Sequence, residues 1–256
     1  MVTALPPVIA RLRAAGCVFA EDEARLLLDA AGSDAELTAM VDRRVAGLPL
    51  EHVLGWAEFC GLRVLVDPGV FVPRQRTGFL VRHAAALARP GAVVVDLCCG
   101  SGAVGAVLAS LVDGIDLWAA DVDPAAVRCA RRNIAAHRVV EGDLFDPLPT
   151  ALLGRVDVLV ANTPYVPTGA IALMPPEARD HEPLVALDGG GDGLDVQRRV
   201  AARAPRWLAP GGHLLVETSE EQAPRAAEVF ARSGLRPRVV SSEELGATAV
   251  IGTRPA

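Results

Sequence analysis

Apolar residues recur at helical spacing in the first fifth of the chain. Between residues 8 and 47 this pattern predicts two or three short helices, and Ser33-Asp34 offers an N-cap for one of them. The apolar positions that define the pattern are Leu26, Leu27, Leu37, Met40 and Val41. We therefore predict a small helical module over residues 1–57.

The period of the apolar pattern changes to two beyond this module. Around Val64 every second residue is apolar, and Asp67-Pro68-Gly69 is a typical turn sequence. The pattern predicts a β-hairpin within residues 58–75 that turns at Asp67-Pro68-Gly69. This hairpin would join the helical module to a larger domain over residues 76–256.

The larger domain alternates short β-branched runs with helical stretches, which is typical of a parallel sheet covered by helices on both faces. The last two runs lie close enough in sequence to pair as an antiparallel hairpin at the sheet edge. We therefore expect an α/β fold with a mostly parallel, doubly wound seven-stranded sheet. The predicted strands are residues 93–97, 117–121, 138–141, 156–161, 212–217, 235–240 and 247–253, and the predicted helices are residues 102–111, 124–136, 194–208 and 223–233.

Composition and charge restrict the partners of this fold. The chain has 256 residues, 51% of them hydrophobic, and a formal net charge of -6. An acidic protein has no long-range attraction for phosphate backbones, so we expect a protein or small-molecule substrate and no direct nucleic-acid binding. The first residues lack the basic start of a secretory signal, and charges and glycines interrupt the most apolar stretch, so we expect a cytoplasmic protein without membrane contact.

The five cysteines indicate neither disulfides nor a metal site. Their number is odd, and no pair has the C-x-x-C spacing of zinc ligands. We interpret them as small apolar residues and expect no bound metal. They are Cys17, Cys60, Cys98, Cys99 and Cys129.

A glycine-rich turn follows the first strand of the predicted sheet. Cys98-Cys99-Gly100-Ser101-Gly102 opens the next helix, at the edge where open α/β sheets bind ligands. Gly100 to Gly105 also matches G-x-G-x-x-G, and Asp121 ends the next strand, where an acid could bind a ribose hydroxyl pair. A nicotinamide dinucleotide is therefore one candidate ligand.

Asp96 favours a different cofactor, because it ends the strand just before the glycines. A pyrophosphate gains nothing from a nearby carboxylate, whereas S-adenosylmethionine carries an ammonium and a sulfonium, both cationic. Asp143 follows the third predicted strand and could accept the adenine amino group, with a solvated turn aspartate as an equal alternative. The sequence thus predicts a methyltransferase in preference to a dehydrogenase.

Asn162-Thr163-Pro164-Tyr165 comes directly off a buried strand, where the fold places reacting groups. The Asn162 side-chain oxygen and the carbonyl of Thr163 could each accept one N–H of a planar NH2 group and aim its nitrogen at the methyl group. Pro164 would fix the turn and Tyr165 would pack flat against the planar group. Proton loss can follow transfer, so no strong base is required, and we interpret His181, the nearest candidate base, as structural.

Two alternatives stay open at this point. An adenine-N6 methyltransferase would present the same planar NH2 group to the turn, but it would need a basic face or a recognition domain. A non-catalytic binding protein that has kept the fold is the third hypothesis.

With these motifs in order, the chain resembles the HemK/PrmC family, the protein-(glutamine-N5) methyltransferases that modify the Gly-Gly-Gln loop of peptide chain release factors. The likeness extends from about residue 47 onward. Its motifs are Gly47-Leu-Pro-Leu-Glu-His52, Leu54-Gly55, Glu58-Phe59, Phe71-Val-Pro-Arg74, Asp96 to Gly102, Asn162 to Tyr165, Glu182-Pro183 and Asp188-Gly-Gly.

This resemblance implies a Rossmann-like class I methyltransferase fold, S-adenosylmethionine as cofactor and a protein substrate. Asn162 to Tyr165 would hold the glutamine amide, with Asn162 also near the cofactor, and Phe71, Val72 and Arg74 would close over the site. The implied cofactor contacts are Phe71, Arg74, Asp96, Cys98, Cys99, Gly100, Ser101, Gly102, Asp121, Val122, Asn162 and either Asp143 or Leu144.

The chain departs from the family pattern in four places. Cys98 replaces the first glycine of the cofactor turn, which is tolerable if its φ is negative. Thr163 replaces a proline, Gln75-Arg76-Thr77-Gly78 replaces a Pro-acid-Thr-Glu run and so puts a cation near the substrate mouth, and the helical module is shorter. These departures leave open which protein is the substrate. The chain could be a paralogue with another protein substrate.

Overall fold

The N-terminal module is a bundle of short helices around a small core. The structure, a computed structural model, describes residues 5–256; the first four residues, which belong to the predicted module and to the stretch judged to lack a secretory signal, lie outside the described residues. The Ser33 hydroxyl accepts the Glu36 N–H, which confirms the predicted N-cap. The helices are α1 (Leu5–Ala14), α2 (Ala20–Ala30), α3 (Asp34–Val45) and α4 (Leu50–Leu54).

A two-stranded hairpin follows, and its predicted turn is wrong. Strands β1 (Trp56–Phe59) and β2 (Leu62–Leu65) turn at Cys60-Gly61, whose φ angles of 51° and 79° are both positive, as a two-residue hairpin turn of this hand requires. Asp67-Pro68-Gly69 forms a separate turn after the hairpin, closed by the bond from the Val70 N–H to the Asp67 carbonyl.

The hairpin and the segment after it pack on helix α7 (Pro124–Asn133). Ala57, Val66, Val70 and Val72 form a buried cluster with that helix. The Asn133 side chain bonds both backbone groups of Leu65, at 2.9 and 2.8 Å. This packing fixes the course of residues 66–72 beside the main sheet.

The main sheet has seven strands in the order β5-β4-β3-β6-β7-β9-β8. Strands β3 to β7 pair in parallel, and β9 is antiparallel to both β7 and β8. This confirms the predicted doubly wound sheet with an antiparallel C-terminal hairpin. The strands are β3 (Val93–Leu97), β4 (Asp116–Asp121), β5 (Val139–Glu141), β6 (Val156–Ala161), β7 (Leu208–Thr218), β8 (Arg236–Ser242) and β9 (Ala247–Thr253).

Helices cover both faces of this sheet. The pattern did not predict α5, which begins at Gly78 without a capping side chain. The helices are α5 (Gly78–Leu87), α6 (Ala103–Leu111), α7 (Pro124–Asn133), α8 (Pro176–His181), α9 (Leu184–Leu187), α10 (Asp195–Trp207) and α11 (Ala223–Arg232), with short 3-10 turns at Gln75–Thr77, Ala136–Arg138, Thr150–Leu152 and Thr168–Leu173.

Strand β3 shows how the core is divided between the two faces. Val93, Val95 and Leu97 pack with α10 and α11, whereas Val94 packs with α5 and α6, as the two-residue period of a strand requires. Asp96 shares the face of Val94 and therefore lies beneath α6. The carboxyl ends of β3, β4 and β6 meet at one edge of the sheet.

No helix within residues 5–256 combines the length and the apolar character needed to cross a bilayer. The division into residues 1–57, 58–75 and 76–256 stays a prediction.

Candidate functional site

A cavity opens at the carboxyl edge of β3, β4 and β6. It brings together most of the residues that the sequence singled out, from the glycine-rich turn, the end of β4, the turn after β6 and the segment before α5. The predicted residues that line it are Phe71, Arg74, Asp96, Cys98, Cys99, Gly100, Ser101, Asp121, Val122, Asn162, Thr163, Pro164 and Tyr165.

The glycines of the turn have different tasks. A Cβ on Gly102 would lie 3.1 Å from the Ala130 Cβ, so this glycine lets α6 and α7 approach each other, and it does not line the cavity. A Cβ on Gly100 would meet nothing within 4 Å, and its φ is +56°. Gly100 therefore leaves the backbone open to a ligand at the cavity wall.

Cys98 does not have the backbone conformation in which it was expected to fit the turn. Its φ is +55°, in the left-handed region, so the expected negative φ is wrong. A non-glycine residue there costs on the order of 1–2 kcal/mol. Burial, with the negative charges of Asp121 and Asp96, raises the pKa of the Cys98 thiol well above its ordinary value, so the thiol stays protonated and is no nucleophile.

Asp96 lies buried at the floor of the cavity. Its Oδ2 accepts the Gly105 N–H at 3.0 Å, which ties the first turn of α6 to the end of β3. Burial raises its pKa to about 7, against the opposing effect of that hydrogen bond. A cation in the cavity would favour the ionised form.

Asp121 holds the glycine turn in place. Its Oδ2 accepts the Gly100 N–H at 2.8 Å and its Oδ1 accepts the Asp123 N–H at 2.9 Å. Burial raises the pKa of this carboxyl as well. Each carboxylate oxygen retains a second lone pair, so Asp121 can also accept a hydroxyl of a ligand.

The charges of the cavity fit a cationic cofactor. Both arginines that line it are already in ion pairs, Arg74 with Glu182 and Arg76 with Glu217, whereas Asp96 and Asp121 have no cationic partner among the ion pairs of residues 5–256. A phosphate ligand would require the reverse arrangement. S-adenosylmethionine, with its ammonium and sulfonium, fits this donor set.

The segment before α5 is tied across the cavity by one buried carboxylate. Glu182 Oε2 accepts Arg74 Nη2 at 2.6 Å, and Glu182 Oε1 accepts the Val72 N–H at 3.1 Å. The Arg74 guanidinium lies 4.8 Å from the centre of the Phe71 ring. These contacts hold Phe71 and Arg74 at the cavity.

The turn after β6 is anchored from behind. Gln222 Nε2 donates to the Tyr165 carbonyl at 2.9 Å, and the Tyr165 hydroxyl donates to Glu217 Oε1 at 2.8 Å. Burial, with the nearby Glu217 charge, raises the pKa of Tyr165 to about 12. Thr163 is buried, and its Oγ1 has no hydrogen-bond partner among the described residues.

Three residues considered from the sequence do not line the cavity. Asp143 forms an ion pair with Arg199, and Leu144, with a φ of +51°, is buried in the core. Neither lines the cavity, nor does His181. Asp143 nonetheless lies close enough to Cys98 for its charge to help raise the pKa of that thiol, so the contact of Asp143 or Leu144 with adenine stays a prediction.

Two residues around the site were missed as functional candidates. Glu217 is the penultimate residue of β7 and lies beside the carboxyl end of β6, and Gln222 lies just before α11. A carboxylate at the end of an apolar strand was the available signal for Glu217. Within residues 5–256, no group of three or more His, Cys, Asp or Glu side chains is arranged to hold a metal ion.

Comparisons with known proteins indicate the class of enzyme to which the chain is similar. The family model of the methyltransferase small domain matches residues 61–174. A release factor glutamine methyltransferase of Geobacter sulfurreducens is 37% identical over 219 residues, which cover 84% of this chain and 76% of that protein. A methyltransferase structure from Pyrococcus furiosus superposes with a TM-score of 0.58 at 18% identity, covering 77% of this chain and 91% of that one, and so supports the fold.

One relative carries a different substrate in its name. The 4-amino-L-phenylalanine/4-methylamino-L-phenylalanine methyltransferase of Streptomyces pristinaespiralis is 39% identical over 203 residues, 76% of this chain and 69% of that protein. The fold, the acidic cavity and these relatives together define an S-adenosylmethionine-dependent methyltransferase. Within that class, the chain belongs to the release factor glutamine methyltransferase family, as the motif resemblance implied.

Proposed function

We propose that the protein transfers the methyl group of S-adenosylmethionine to the side-chain amide nitrogen of a glutamine in a protein, with the Gly-Gly-Gln loop of a release factor as the leading candidate. The observation that carries this proposal is that the glycine-rich turn and Asn162 to Tyr165 line one cavity. Such a substrate would also place the protein in the cytoplasm, where it needs neither a membrane nor a nucleic-acid partner.

The acceptor turn supplies orientation. The Asn162 side-chain oxygen and the Thr163 carbonyl each accept one N–H of the amide, which keeps its nitrogen facing the methyl group. Thr163 lacks the ring of the family's proline but keeps the carbonyl, so the substitution preserves this contact. Pro164 restricts the turn, and the Tyr165 ring packs against the flat amide.

The remaining lining residues hold the cofactor. Asp96 provides a negative charge for its cationic end, and Asp121 accepts a ribose hydroxyl beside Val122. The backbone of Cys98, Cys99, Gly100 and Ser101 forms the wall that the cofactor approaches, with Gly102 as packing support.

Phe71 and Arg74 cover the cofactor. Asp143 and Leu144 lie outside this set because they do not line the cavity.

A small aromatic amine is the second candidate acceptor. The Streptomyces pristinaespiralis relative supports it, because its named substrates carry an amino group on an aromatic ring. Such a group is planar and could also engage two hydrogen-bond acceptors at the turn. The two candidates differ in whether the acceptor belongs to a polypeptide.

A panel of acceptors separates these candidates. The purified protein is incubated with methyl-labelled cofactor and a protein bearing a Gly-Gly-Gln loop, the same protein with that glutamine changed to glutamate, 4-amino-phenylalanine, or duplex DNA. We expect label only in the unaltered protein, because the glutamate variant has no NH2 group. Label in the free amine alone would favour the second candidate, and label in DNA would contradict both.

A further inference from the structure

A buried carboxylate lies behind the acceptor turn and is shared by two other side chains. Glu217 is 3% exposed. Its Oε1 accepts the Tyr165 hydroxyl at 2.8 Å and Arg76 Nε at 3.2 Å, and Arg76 Nη2 donates to the Tyr165 hydroxyl oxygen at 2.8 Å. The three side chains therefore form a closed ring of hydrogen bonds, which we call the Arg76–Tyr165–Glu217 ring.

The charges make this ring hard to rearrange. A buried carboxylate requires a cationic or hydrogen-bonding partner, and Arg76 supplies the one ion pair that Glu217 has within residues 5–256. Glu217 Oε2 has no hydrogen-bond partner among the described residues. If Arg76 moved away from Oε1, the buried carboxylate would lose its cation, and if Tyr165 moved away, it would lose a hydrogen bond.

Tyr165 is consequently held at both ends. Gln222 fixes its backbone carbonyl, and the Arg76–Tyr165–Glu217 ring fixes its hydroxyl. A Cβ on Gly193 would lie 2.3 Å from the Tyr165 carbonyl oxygen, so the chain also packs tightly against the backbone here. The plane of the aromatic ring has little freedom in this arrangement.

Arg76 connects this arrangement to the cavity wall. It lines the cavity together with Tyr165, and it follows directly on the segment that Glu182 ties down through Arg74. The sequence predicted a cation near the substrate mouth, and in the structure this cation is paired with Glu217. The pairing leaves the acceptor pocket without an unpaired arginine charge.

We propose that Arg76 and Glu217 are positioning residues that set the orientation of Tyr165 and thereby the affinity for the acceptor. This inference rests on the proposed role of Tyr165 as the surface against which the planar acceptor packs. Neither Arg76 nor Glu217 needs to touch the reacting atoms. Because Tyr165 is the surface on which the acceptor packs, loss of either partner weakens binding of the acceptor and leaves the cofactor bound.

The first test compares acceptor KM, kcat and cofactor Kd for Tyr165→Phe, Arg76→Met, Glu217→Gln and their pairwise combinations. Each single change is expected to raise acceptor KM about tenfold, the equivalent of roughly one charge-assisted hydrogen bond, with cofactor Kd within about threefold. Arg76→Met combined with Tyr165→Phe should be no worse than the more severe single change, because Arg76 acts through the hydroxyl that Phe lacks.

Controls guard against a trivial loss of folding. Arg232→Met removes an exposed arginine that pairs with Glu228 far from the site and should change none of these constants. Arg76→Met leaves the Glu217 carboxylate buried without a cation. The double variant with Glu217→Gln removes that buried charge, so its unfolding temperature should be close to that of the wild type. Fully additive losses in KM, or equal losses in cofactor affinity, would overturn the positioning role.

A second readout is independent of turnover. Tyr165 is the single tyrosine of the chain, so tyrosine labelled with carbon-13 at Cζ gives one NMR signal that reports its hydroxyl environment. Arg76→Met and Glu217→Gln should each shift this signal, whereas Arg232→Met should not. An unchanged signal would contradict the ring even in an active enzyme. Shifted signals in a protein that methylates no glutamine would instead sink the proposed function alone.

Discussion

Burial and a bound cation favour opposite protonation states of the Asp96 carboxyl. Burial raises its pKa to about 7 when no cation is present, whereas a bound cation favours the carboxylate. Below that pKa the side chain is neutral, so cofactor binding must release a proton. We therefore expect the Kd for S-adenosylmethionine to fall as the pH rises from about 6 to 8, by at most tenfold per pH unit. Isothermal titration at several pH values measures this dependence.

Asp96→Asn is the matched variant for that measurement. Its side-chain oxygen can still accept the Gly105 N–H, so the start of α6 is retained while the charge is lost. The variant should bind the cofactor more weakly at pH 8 and show a flatter pH profile. A wild-type Kd that does not change with pH would refute the electrostatic role of this carboxylate.

Cys98 carries local strain that glycine would relieve. Cys98→Gly should raise the free energy of unfolding by about 0.5–1 kcal/mol, because the strain of a left-handed residue exceeds the extra unfolded-state entropy of glycine. Urea denaturation measures the change. Cys60→Gly, at a φ of 51° in the hairpin turn, is a matched control that should gain similar stability without altering cofactor affinity. Destabilisation by Cys98→Gly would show that the thiol packing outweighs the strain.

Asn162 is the residue whose loss should separate catalysis from binding. Asn162→Ala removes one of the two acceptors for the amide, so methyl transfer should be abolished. Cofactor affinity should stay within about tenfold, or 1.4 kcal/mol, of the wild type. Single-turnover assays with titration of the cofactor check both parts. Turnover near the wild-type value would refute the role assigned to this side chain.

At the level of elements, Glu182 joins α8 to the segment that covers the cavity. Glu182→Ala leaves the Val72 N–H and the Arg74 guanidinium without their partner. The segment over residues 70–77 should therefore exchange its amide hydrogens faster. The Kd for the cofactor should rise by about tenfold or more. Hydrogen exchange with mass spectrometry measures the first effect. Glu177→Ala, which removes a half-exposed partner of Arg44, is the control and should leave exchange in residues 70–77 unchanged.

The elements of the main sheet could be predicted because each carries its own apolar period. Strand β9 was predicted with the bounds that the structure shows, and β3 likewise. The hairpin turn was misplaced because Asp67-Pro68-Gly69 is a stronger turn signal than Cys60-Gly61. Helix α5 was missed because it starts at a glycine without a cap, and its stability comes from the burial of Leu80 and Val81.

The site could be predicted where it lies at the end of a strand. Asp96, Gly100 and Asn162 each follow a single apolar run, and their meeting at one edge follows from parallel pairing. Glu217 and Arg76 could not be paired from sequence, because they lie 141 positions apart and meet only through the order of the strands. The surroundings of Asp143 could not be predicted for a related reason, since its partner Arg199 lies 56 positions further along the chain.

At the scale of the whole molecule, charge opposes a nucleic-acid acceptor. The net charge is -6, and both arginines of the cavity are paired with buried glutamates. Acceptor KM should therefore change less than about threefold between 50 and 200 mM salt, where a protein with many phosphate contacts loses roughly a thousandfold or more in affinity. Steady-state assays at increasing salt test this. A steep salt dependence would favour the adenine-N6 alternative.

The most direct test of glutamine methylation is tandem mass spectrometry of the Gly-Gly-Gln peptide of release factors. The peptides come from cells that carry either the wild-type protein or its Asn162→Ala variant. We predict one added methyl group on the glutamine side chain with the wild type and an unmodified glutamine with the variant. The same modification state in both samples would contradict the proposal that this protein methylates that residue.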